Sequence, residues 1–102
     1  MIVYISGPVT GVDNFEEAFQ KATNAVEGKG HTVVSPLSCG VLKEEIYGWS
    51  DCMKVCIALM ERCNGIVMLD GWRTSVGARI EKLWAEKVGL NIYYGVDELP
   101  PF

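Results

Sequence analysis

The sequence predicts an α/β fold: a small flavodoxin-like or Rossmann-like parallel sheet of about four strands with three helices. Apolar, strand-like segments alternate with segments of helical period, which gives the order β-α-β-α-β-α-β. Residues 65–70, GIVMLD, form the continuous apolar run that is typical of a strand buried on both faces. Right-handed crossovers between these strands favour a parallel sheet with the strand order 2-1-3-4.

The first half of the chain supplies two strands and one helix. Residues 2–6, IVYIS, and residues 31–36, HTVVSP, are the strands. Between them, residues 13–30 are helical in pattern, and Asp13 followed three residues later by Glu16 predicts a capping box. The face of this helix that we expect to be buried consists of Phe15, Phe19, Ala22 and Val26.

The middle of the chain contains an irregular segment and a second helix. Residues 37–48 show no period, and Ser50 then predicts the N-cap of a helix over about 51–63. The apolar face of this helix is Met53, Cys56, Ile57, Met60 and Cys63.

The last third supplies strand 65–70, a third helix over about 75–88 and a fourth strand in LNIYYG, residues 90–95. Thr74 or Ser75 can cap the third helix. Most of its apolar contact is expected from Ile80, Leu83 and Trp84. The tail VDELPPF, with two prolines, is predicted to be irregular.

Size and charge limit the possible function classes. The 102 residues, 49% of them hydrophobic, predict one folded domain over 1–102. A net charge of −4 without a Lys/Arg cluster argues against a nucleic-acid partner. No segment has the 18–20 apolar residues that a membrane span needs, and residues 1–8 lack the features of a signal peptide. We therefore expect a cytoplasmic protein without a membrane partner.

The four cysteines are expected to serve core packing. Cys52, Cys56 and Cys63 follow one helical stripe, and free cysteine is readily buried. A zinc site that combines two of them with Cys39 and His31 is an alternative, but the paired spacings of structural zinc sites are missing. Redox chemistry is a further alternative. We predict no metal and no cofactor.

Two loops should meet at the carboxyl ends of the strands. In a sheet of this order the ligand crevice lies between strands 1 and 3, which brings SGPVTG, residues 6–11, beside DGWRTS, residues 70–75. The first loop is neither a P-loop nor a dinucleotide fingerprint, and a plain strand-to-helix turn also explains it. The residues predicted to line a substrate here are Ser6, Gly7, Pro8, Thr10, Gly11, Asp70, Gly71, Trp72, Ser75 and Gly77.

An acidic residue follows on the third helix. Glu81 shares a face with Gly77, Ala78 and Ala85, and a carboxylate reached past small residues suits a nucleophile that attacks a sugar carbon. Tight helix packing also explains the small residues. A solvated surface glutamate that pairs with Arg79, Lys82 or Lys87 is an equally open alternative.

The motifs VYISGPVTG, W-S-D-C-M and GW-x₂-S-x-GA-x₂-E together resemble the nucleoside 2-deoxyribosyltransferase-like superfamily. The similarity runs over nearly the whole chain. It is greatest to a small branch of bacterial and phage domains related to 2′-deoxynucleoside 5′-phosphate N-hydrolase. The resemblance implies a parallel α/β fold, a homodimer or higher homo-oligomer, and a small-molecule nucleoside or nucleotide substrate whose N-glycosidic bond is cleaved.

The resemblance also implies roles for individual residues. Glu81 matches the nucleophile that forms a covalent deoxyribosyl–enzyme intermediate, and Tyr4 matches the tyrosine that orients the nucleophile or the sugar. Ser75 matches a serine that binds the 5′-phosphate in nucleotide-cleaving relatives, where transferases of free nucleosides carry Asp. A carboxylate stabilises the oxocarbenium-like transition state of such a reaction.

One departure concerns the acid that protonates the leaving base. Relatives carry a second aspartate five residues after Asp51, and this chain has Cys56 there. Asp51 or Asp70 could serve instead, and of the two we assign Asp51 to the catalytic set. Two other functions stay open: a catalytically weakened nucleotide-binding module, and an interaction protein with a vestigial crevice.

Overall fold

A computed structural model describes residues 1–9, 12–35 and 48–102. Within these ranges the chain forms four strands and three α-helices. The strands are β1 (Ile2–Ser6), β2 (Thr32–Val34), β3 (Gly65–Met68) and β4 (Asn91–Tyr94). The helices are α1 (Phe15–Gly28), α2 (Trp49–Met60) and α3 (Val76–Val88), and two 3₁₀ turns cover Trp72–Thr74 and Val96–Glu98.

The sheet is parallel throughout and has the strand order β2-β1-β3-β4, which confirms the predicted fold class. Tyr4 of β1 is in register with Val34 of β2 on one side and with Ile66 of β3 on the other. Ser6 is in register with Met68. Strand β1 is therefore an inner strand, and residues Val3 to Ser6 are fully buried.

Side chains of alternating direction divide the core between the two faces of the sheet. One cluster packs against α1 and the C-terminal turn, and it consists of Val3, Ile5, Phe19, Ala22, Val26, Val67 and Leu99. The other packs against α2 and α3, and it consists of Tyr4, Cys56, Met60, Cys63, Ile66, Met68, Ala78 and Ala85. The predicted burial of Phe19, Ala22 and Val26 is confirmed, and Phe15 packs partly buried beside them.

The predicted caps of the first two helices are wrong. Helix α1 begins at Phe15, and its N-cap is Asn14 in a left-handed conformation with φ 60°, not Asp13. Asn tolerates that conformation better than most residues, and its carbonyl accepts from the Glu17 N–H. Helix α2 begins at Trp49 after an extended Gly48, so Ser50 lies inside the helix.

Strand β3 is shorter than predicted, and helix α2 both begins and ends earlier than the predicted 51–63. Helix α2 ends at Met60 because the chain then turns back to the sheet, where the Asn64 N–H donates to the Ile2 carbonyl at 2.7 Å. Cys63 lies beyond this helix but is buried, as are Cys52 and Cys56, as expected of core cysteines. The Cys39 of the alternative zinc site lies outside the described residues, and no group of three or more potential ligand side chains occurs among the residues that are described.

The predicted apolar face of α3 is also wrong. Ile80, Leu83 and Trp84 are all exposed, and the buried residues of the helix are Ala78, Glu81 and Ala85. The reason is the distance between the helix and the sheet: small side chains allow α3 to pack closely, and the large ones must then face outward.

The C-terminal tail is more ordered than its two prolines suggest. Residues Val96–Glu98 form a 3₁₀ turn, and Leu99 is buried in the core. The Lys29 ammonium group donates to the carbonyls of Val96 and Leu99 at 2.7 and 2.6 Å. His31 is buried, with Nε2 at 2.6 Å from the Pro100 carbonyl oxygen, so it serves to hold the tail.

Candidate active site

The loops that follow β1 and β3 meet at the carboxyl edge of the sheet, as predicted. A Cβ at Gly7 would lie 3.0 Å from Cβ of Leu69, so any larger residue would press against Leu69. The Leu69 N–H donates to the Ser6 carbonyl at 2.8 Å. Gly71, with φ 88°, lies against Pro8 of the first loop. The two loops therefore form one continuous surface beside the ends of β1 and β3.

Helix α3 starts from this surface. Ser75 is its N-cap, because the hydroxyl oxygen accepts from the Ala78 N–H at 3.2 Å, which confirms one of the two predicted caps. The Ser75 carbonyl accepts from the Arg79 N–H at 3.0 Å. Glu81 follows one and a half turns later, on the face that Ala78 and Ala85 bring against the sheet.

Both oxygens of Glu81 accept hydrogen bonds from strand β1. The Tyr4 hydroxyl donates to Oε2 at 2.6 Å, and the Ser6 hydroxyl donates to Oε1 at 2.7 Å. Glu81 is only 5% exposed. The alternative of a solvated glutamate paired with Arg79, Lys82 or Lys87 is therefore wrong.

Burial and hydrogen bonding act in opposite directions on this carboxyl group. Burial raises the pKa of Glu81, and the hydrogen bonds from Tyr4 and Ser6 lower it by a smaller amount. The pKa of Tyr4 is raised well above its usual value, mainly by burial and further by Glu81 and Cys56. Tyr4 therefore stays protonated and acts as a permanent donor to Glu81.

Helix α2 places a thiol beside Tyr4. Cys56 is buried in the same cluster as Tyr4 and interacts with its hydroxyl group. Asp51, five residues earlier in the first turn of α2, is exposed. The structure thus brings Tyr4, Ser6, Cys56 and Glu81 together, while Asp51 remains at the surface.

The other predicted site residues have several environments. Asp70 and Gly71 are exposed at the end of β3, and Ser75 and Gly77 are half-buried at the start of α3. A Cβ at Gly77 would lie 3.2 Å from Sδ of Met53, so this glycine allows close packing of α2 against α3. Gly7 is buried and Pro8 half-buried. Thr10 and Gly11 lie outside the described residues.

Trp72 already has neighbours on its ring. Tyr94 lies 5.7 Å away between ring centroids at an angle of 34°. The Arg73 guanidinium carbon and the Lys82 ammonium nitrogen lie 5.1 and 5.5 Å from the ring centroid. Trp72 therefore belongs to an aromatic and cationic cluster beside α3.

Sequence reasoning missed two contacts of the site. The loop pattern assigns Ser6 to the substrate, although the period of two along a strand places it on the same face as Tyr4. The contact between Cys56 and Tyr4 depends on the angle at which α2 crosses the strands. A local sequence pattern does not predict that crossing angle.

Comparison with known protein families and sequences gives one match. A family model described as "Domain of unknown function (DUF4406)" matches residues 1–94, a range that includes all four strands and the candidate site. No curated protein sequence matches the chain significantly. No described helix is both long and apolar enough to cross a membrane.

Among solved structures, the chain is similar to the 2-deoxyribosyltransferase of the psychrotolerant bacterium Bacillus psychrosaccharolyticus. The TM-score is 0.69 at 17% sequence identity, and the alignment covers 90% of this chain and 69% of the other. That protein is described as a biocatalyst for the synthesis of antiviral and antitumoral nucleosides. At this identity the comparison shows a shared fold, which confirms the structural part of the resemblance.

Proposed function

Because the chain belongs to the family described as Domain of unknown function (DUF4406), a description that names no reaction, we propose its function from the candidate site. The proposed reaction is cleavage of the N-glycosidic bond of 2′-deoxynucleoside 5′-monophosphates, or transfer of the deoxyribosyl group between bases. It proceeds through a covalent deoxyribosyl–Glu81 intermediate. The observation that carries the proposal is a buried carboxylate, hydrogen-bonded by Tyr4 and Ser6, beside the two loops at the sheet edge.

The chemistry needs a carboxylate on one face of the sugar. As the bond from C1′ to the base breaks, its electron pair leaves with the base, and positive charge develops on the sugar ring. A Glu81 oxygen stabilises this charge and then bonds to C1′. Water, or a second base, attacks C1′ in the next step and releases the carboxylate. Because both donors to Glu81 are neutral hydroxyl groups, they orient the carboxylate without cancelling its charge.

The start of α3 supports a phosphorylated substrate. Ser75 is half-buried at the N-terminus of this helix, where backbone N–H groups and the helix dipole favour an anion. Gly71 and Trp72 precede it in the same loop, and Gly7 and Pro8 lie opposite. We assign the 5′-phosphate to the N-terminus of α3 at Ser75. We assign the base to the surface that Gly71 and Trp72 form with Gly7 and Pro8.

Protonation of the leaving base is assigned to an exposed carboxylate. Asp51 in α2 and Asp70 after β3 are both exposed carboxylates, and we retain Asp51 for this role. General acid catalysis of this kind contributes typically about 10²–10⁴-fold in rate. Cys56, next to Tyr4, favours the second candidate function, a nucleotide-binding module with weakened catalysis.

The experiment incubates the protein with deoxynucleoside monophosphates and free deoxynucleosides and measures released base by chromatography. Intact mass after rapid acid quenching reports the deoxyribosyl adduct. We expect Glu81→Gln and Glu81→Ala to lose at least about 10³-fold in base release and all of the adduct. The matched control is Glu27→Gln, which removes an exposed carboxylate from α1 on the opposite face of the sheet and should retain activity.

The outcomes separate the candidate functions. Base release that persists in Glu81→Ala contradicts the covalent mechanism. Nucleotide binding by calorimetry without base release supports the binding module, and restored release in Cys56→Asp would show that chemistry was lost there. If no nucleotide shifts the melting temperature, the interaction protein is the remaining candidate.

We further propose that the single domain works as a homo-oligomer in the cytoplasm. Val76, Ile80 and Leu83 form an exposed apolar row on α3, which we call the outer stripe. It borders a groove of about 450 Å³ that Trp72 also lines. The pairing that we propose is two-fold and antiparallel along α3. The groove is also lined by Arg79, Lys82 and Glu86, so it offers charges of both signs to an identical surface. We therefore propose a second copy of this chain as the occupant of this surface.

A further inference from the structure

We propose that Ser6 is a positioning residue for the proposed reaction: its hydroxyl holds Oε1 of Glu81 while Tyr4 holds Oε2, so that the carboxylate faces the sugar in one fixed orientation. This role differs from the substrate contact that the sequence suggested for Ser6. Its catalytic consequence rests on the proposed function. Its structural basis does not.

The geometry of β1 supports the role. Tyr4 and Ser6 are two residues apart on one strand, so both side chains point toward α3. Their donor bonds to Glu81 are 2.6 and 2.7 Å long, within the range of strong O–H···O⁻ bonds. The backbone of Ser6 is fixed by the bond from the Leu69 N–H to its carbonyl. A hydroxyl group on such a fixed strand restrains the carboxylate.

Burial also separates Ser6 from the substrate. Ser6 has no exposed surface, whereas Glu81 keeps 5% and Ser75 and Pro8 at the edge of the site are half-buried. The Ser6 hydroxyl donates its hydrogen bond to Glu81. Ser6 therefore acts on a bound nucleotide through the Glu81 carboxylate and not by direct contact. We therefore expect its loss to change the reaction rate more than substrate binding.

The groups that face Glu81 are few among the described residues. Strand β1 contributes the hydroxyl groups of Tyr4 and Ser6, α2 contributes the thiol of Cys56 through Tyr4, and α3 itself contributes the methyl groups of Ala78 and Ala85. Both direct donors are neutral. Each stabilises the ionised carboxylate against the effect of burial, so removal of one donor should favour the protonated form.

The test measures the titration of Glu81 directly and the reaction separately. The protein is labelled with ¹³C at the glutamate carboxyl groups, and the Glu81 signal is assigned by its absence in Glu81→Gln. Ser6→Ala should raise the carboxyl pKa by about one pH unit or more relative to wild type, since a hydrogen bond to a charged group is lost. Ser6→Cys, which keeps a weaker donor, should give a smaller rise.

Kinetics give the second readout. In Ser6→Ala we expect kcat for base release to fall by about 10-fold or more at neutral pH, with little change in KM. The acidic limb of the pH profile should move upward together with the NMR titration. The matched control is Thr23→Val, which removes a hydroxyl hydrogen bond from α1 on the opposite face of the sheet and should change neither.

The outcomes distinguish this inference from the proposed function. An unchanged Glu81 titration in Ser6→Ala overturns the positioning role, whatever the activity. If wild type releases no base from any nucleotide, the proposed function fails, and the titration still decides the role of Ser6. If Ser6→Ala does not fold, the smaller shift expected for Ser6→Cys decides it in the same way.

Discussion

Glu81 is the residue at which stability and the proposed function conflict. A carboxylate that is 5% exposed has lost most of its hydration, and two hydroxyl donors replace only part of it. Carboxyl groups with a perturbed pKa cluster at functional sites, where the charge itself is used. An unperturbed glutamate at the surface would avoid the penalty.

This conflict predicts a pH-dependent gain in stability for Glu81→Gln. Because burial raises the pKa of Glu81 above its ordinary 4.5, the folded protein binds more protons than the unfolded chain above that pH. The penalty is absent at pH 4 and grows as the pH rises through the folded pKa. We expect the melting temperature of Glu81→Gln to exceed that of wild type by about 4 °C or more at pH 8.

The measurement is thermal unfolding followed by circular dichroism between pH 4 and pH 8. Glu27→Gln, at an exposed position of α1, is the control and should show no such gain. A constant difference between Glu81→Gln and wild type across this range would contradict the assignment of the effect to the buried charge.

At the residue scale, sequence reasoning could place Glu81 near strand 1 but could not decide its burial. The helical period groups Glu81 with Ala78 and Ala85 on one face, and topology aims that face at the crevice. Whether the face is inside depends on packing against the sheet. Only the bonds to Tyr4 and Ser6 decide against the surface alternative.

Among the elements, α3 shows how hydrophobicity alone can mislead. The helix has a row of small residues and a row of large apolar ones, and the usual rule assigns the large row to the core. Here the row with Ala78 and Ala85 is inside, and the close approach that these small residues allow lets Glu81 reach β1. The predicted N-caps of α1 and α2 were wrong for a different reason. Several residues near the start of each helix can act as the N-cap, and the direction of the incoming chain selects among them.

The capping role of Ser75 yields a prediction that separates stability from substrate choice. Ser75→Ala loses the bond to the Ala78 N–H and should destabilise the protein by about 1 kcal/mol, or about 4–8 °C in melting temperature. Ser75→Asp keeps the cap and should melt near wild type. Its negative charge repels a 5′-phosphate, so KM for monophosphates should rise by about 10-fold or more relative to free deoxynucleosides.

Melting curves and KM values for paired substrates check this prediction. Thr74→Ala is the matched control, because Thr74 precedes the cap and its hydroxyl donates to the Gly71 carbonyl instead. An unchanged preference for monophosphates in Ser75→Asp would place the phosphate elsewhere.

For the whole molecule, the order β2-β1-β3-β4 agrees with the prediction, which rested on alternating strands and helices and on right-handed crossovers that place helices on both faces of the sheet. That order alone brings the loops after β1 and β3 together, and the contacts of Gly7 and Gly71 confirm it. The ordered tail could not be predicted in the same way. Its anchor, Lys29, is a surface-type residue that is distant in sequence.

The outer stripe predicts a self-association that one charge should disrupt. Leu83 is 56% exposed, and in a symmetric pair each substitution is present twice, so Leu83→Glu places two buried charges in the contact. We expect light scattering at micromolar concentration to give a dimer or larger species for wild type and a monomer for Leu83→Glu. Ala25→Glu, on an exposed position of α1, should assemble as wild type does.

A monomeric wild-type mass would contradict the pairing. If the Leu83→Glu protein assembles as wild type does, the contact between copies lies on a surface other than the outer stripe.

The position of β1 between β2 and β3 has a consequence for how the candidate site responds to heat. Edge strands and helix ends fray first in a folded chain, while an inner strand is released only when the whole structure melts. Both hydroxyl groups that hold the glutamate belong to that inner strand. The hydrogen bonds to Glu81 should therefore survive local fraying, and loss of the proposed activity on heating should follow the same curve as global melting.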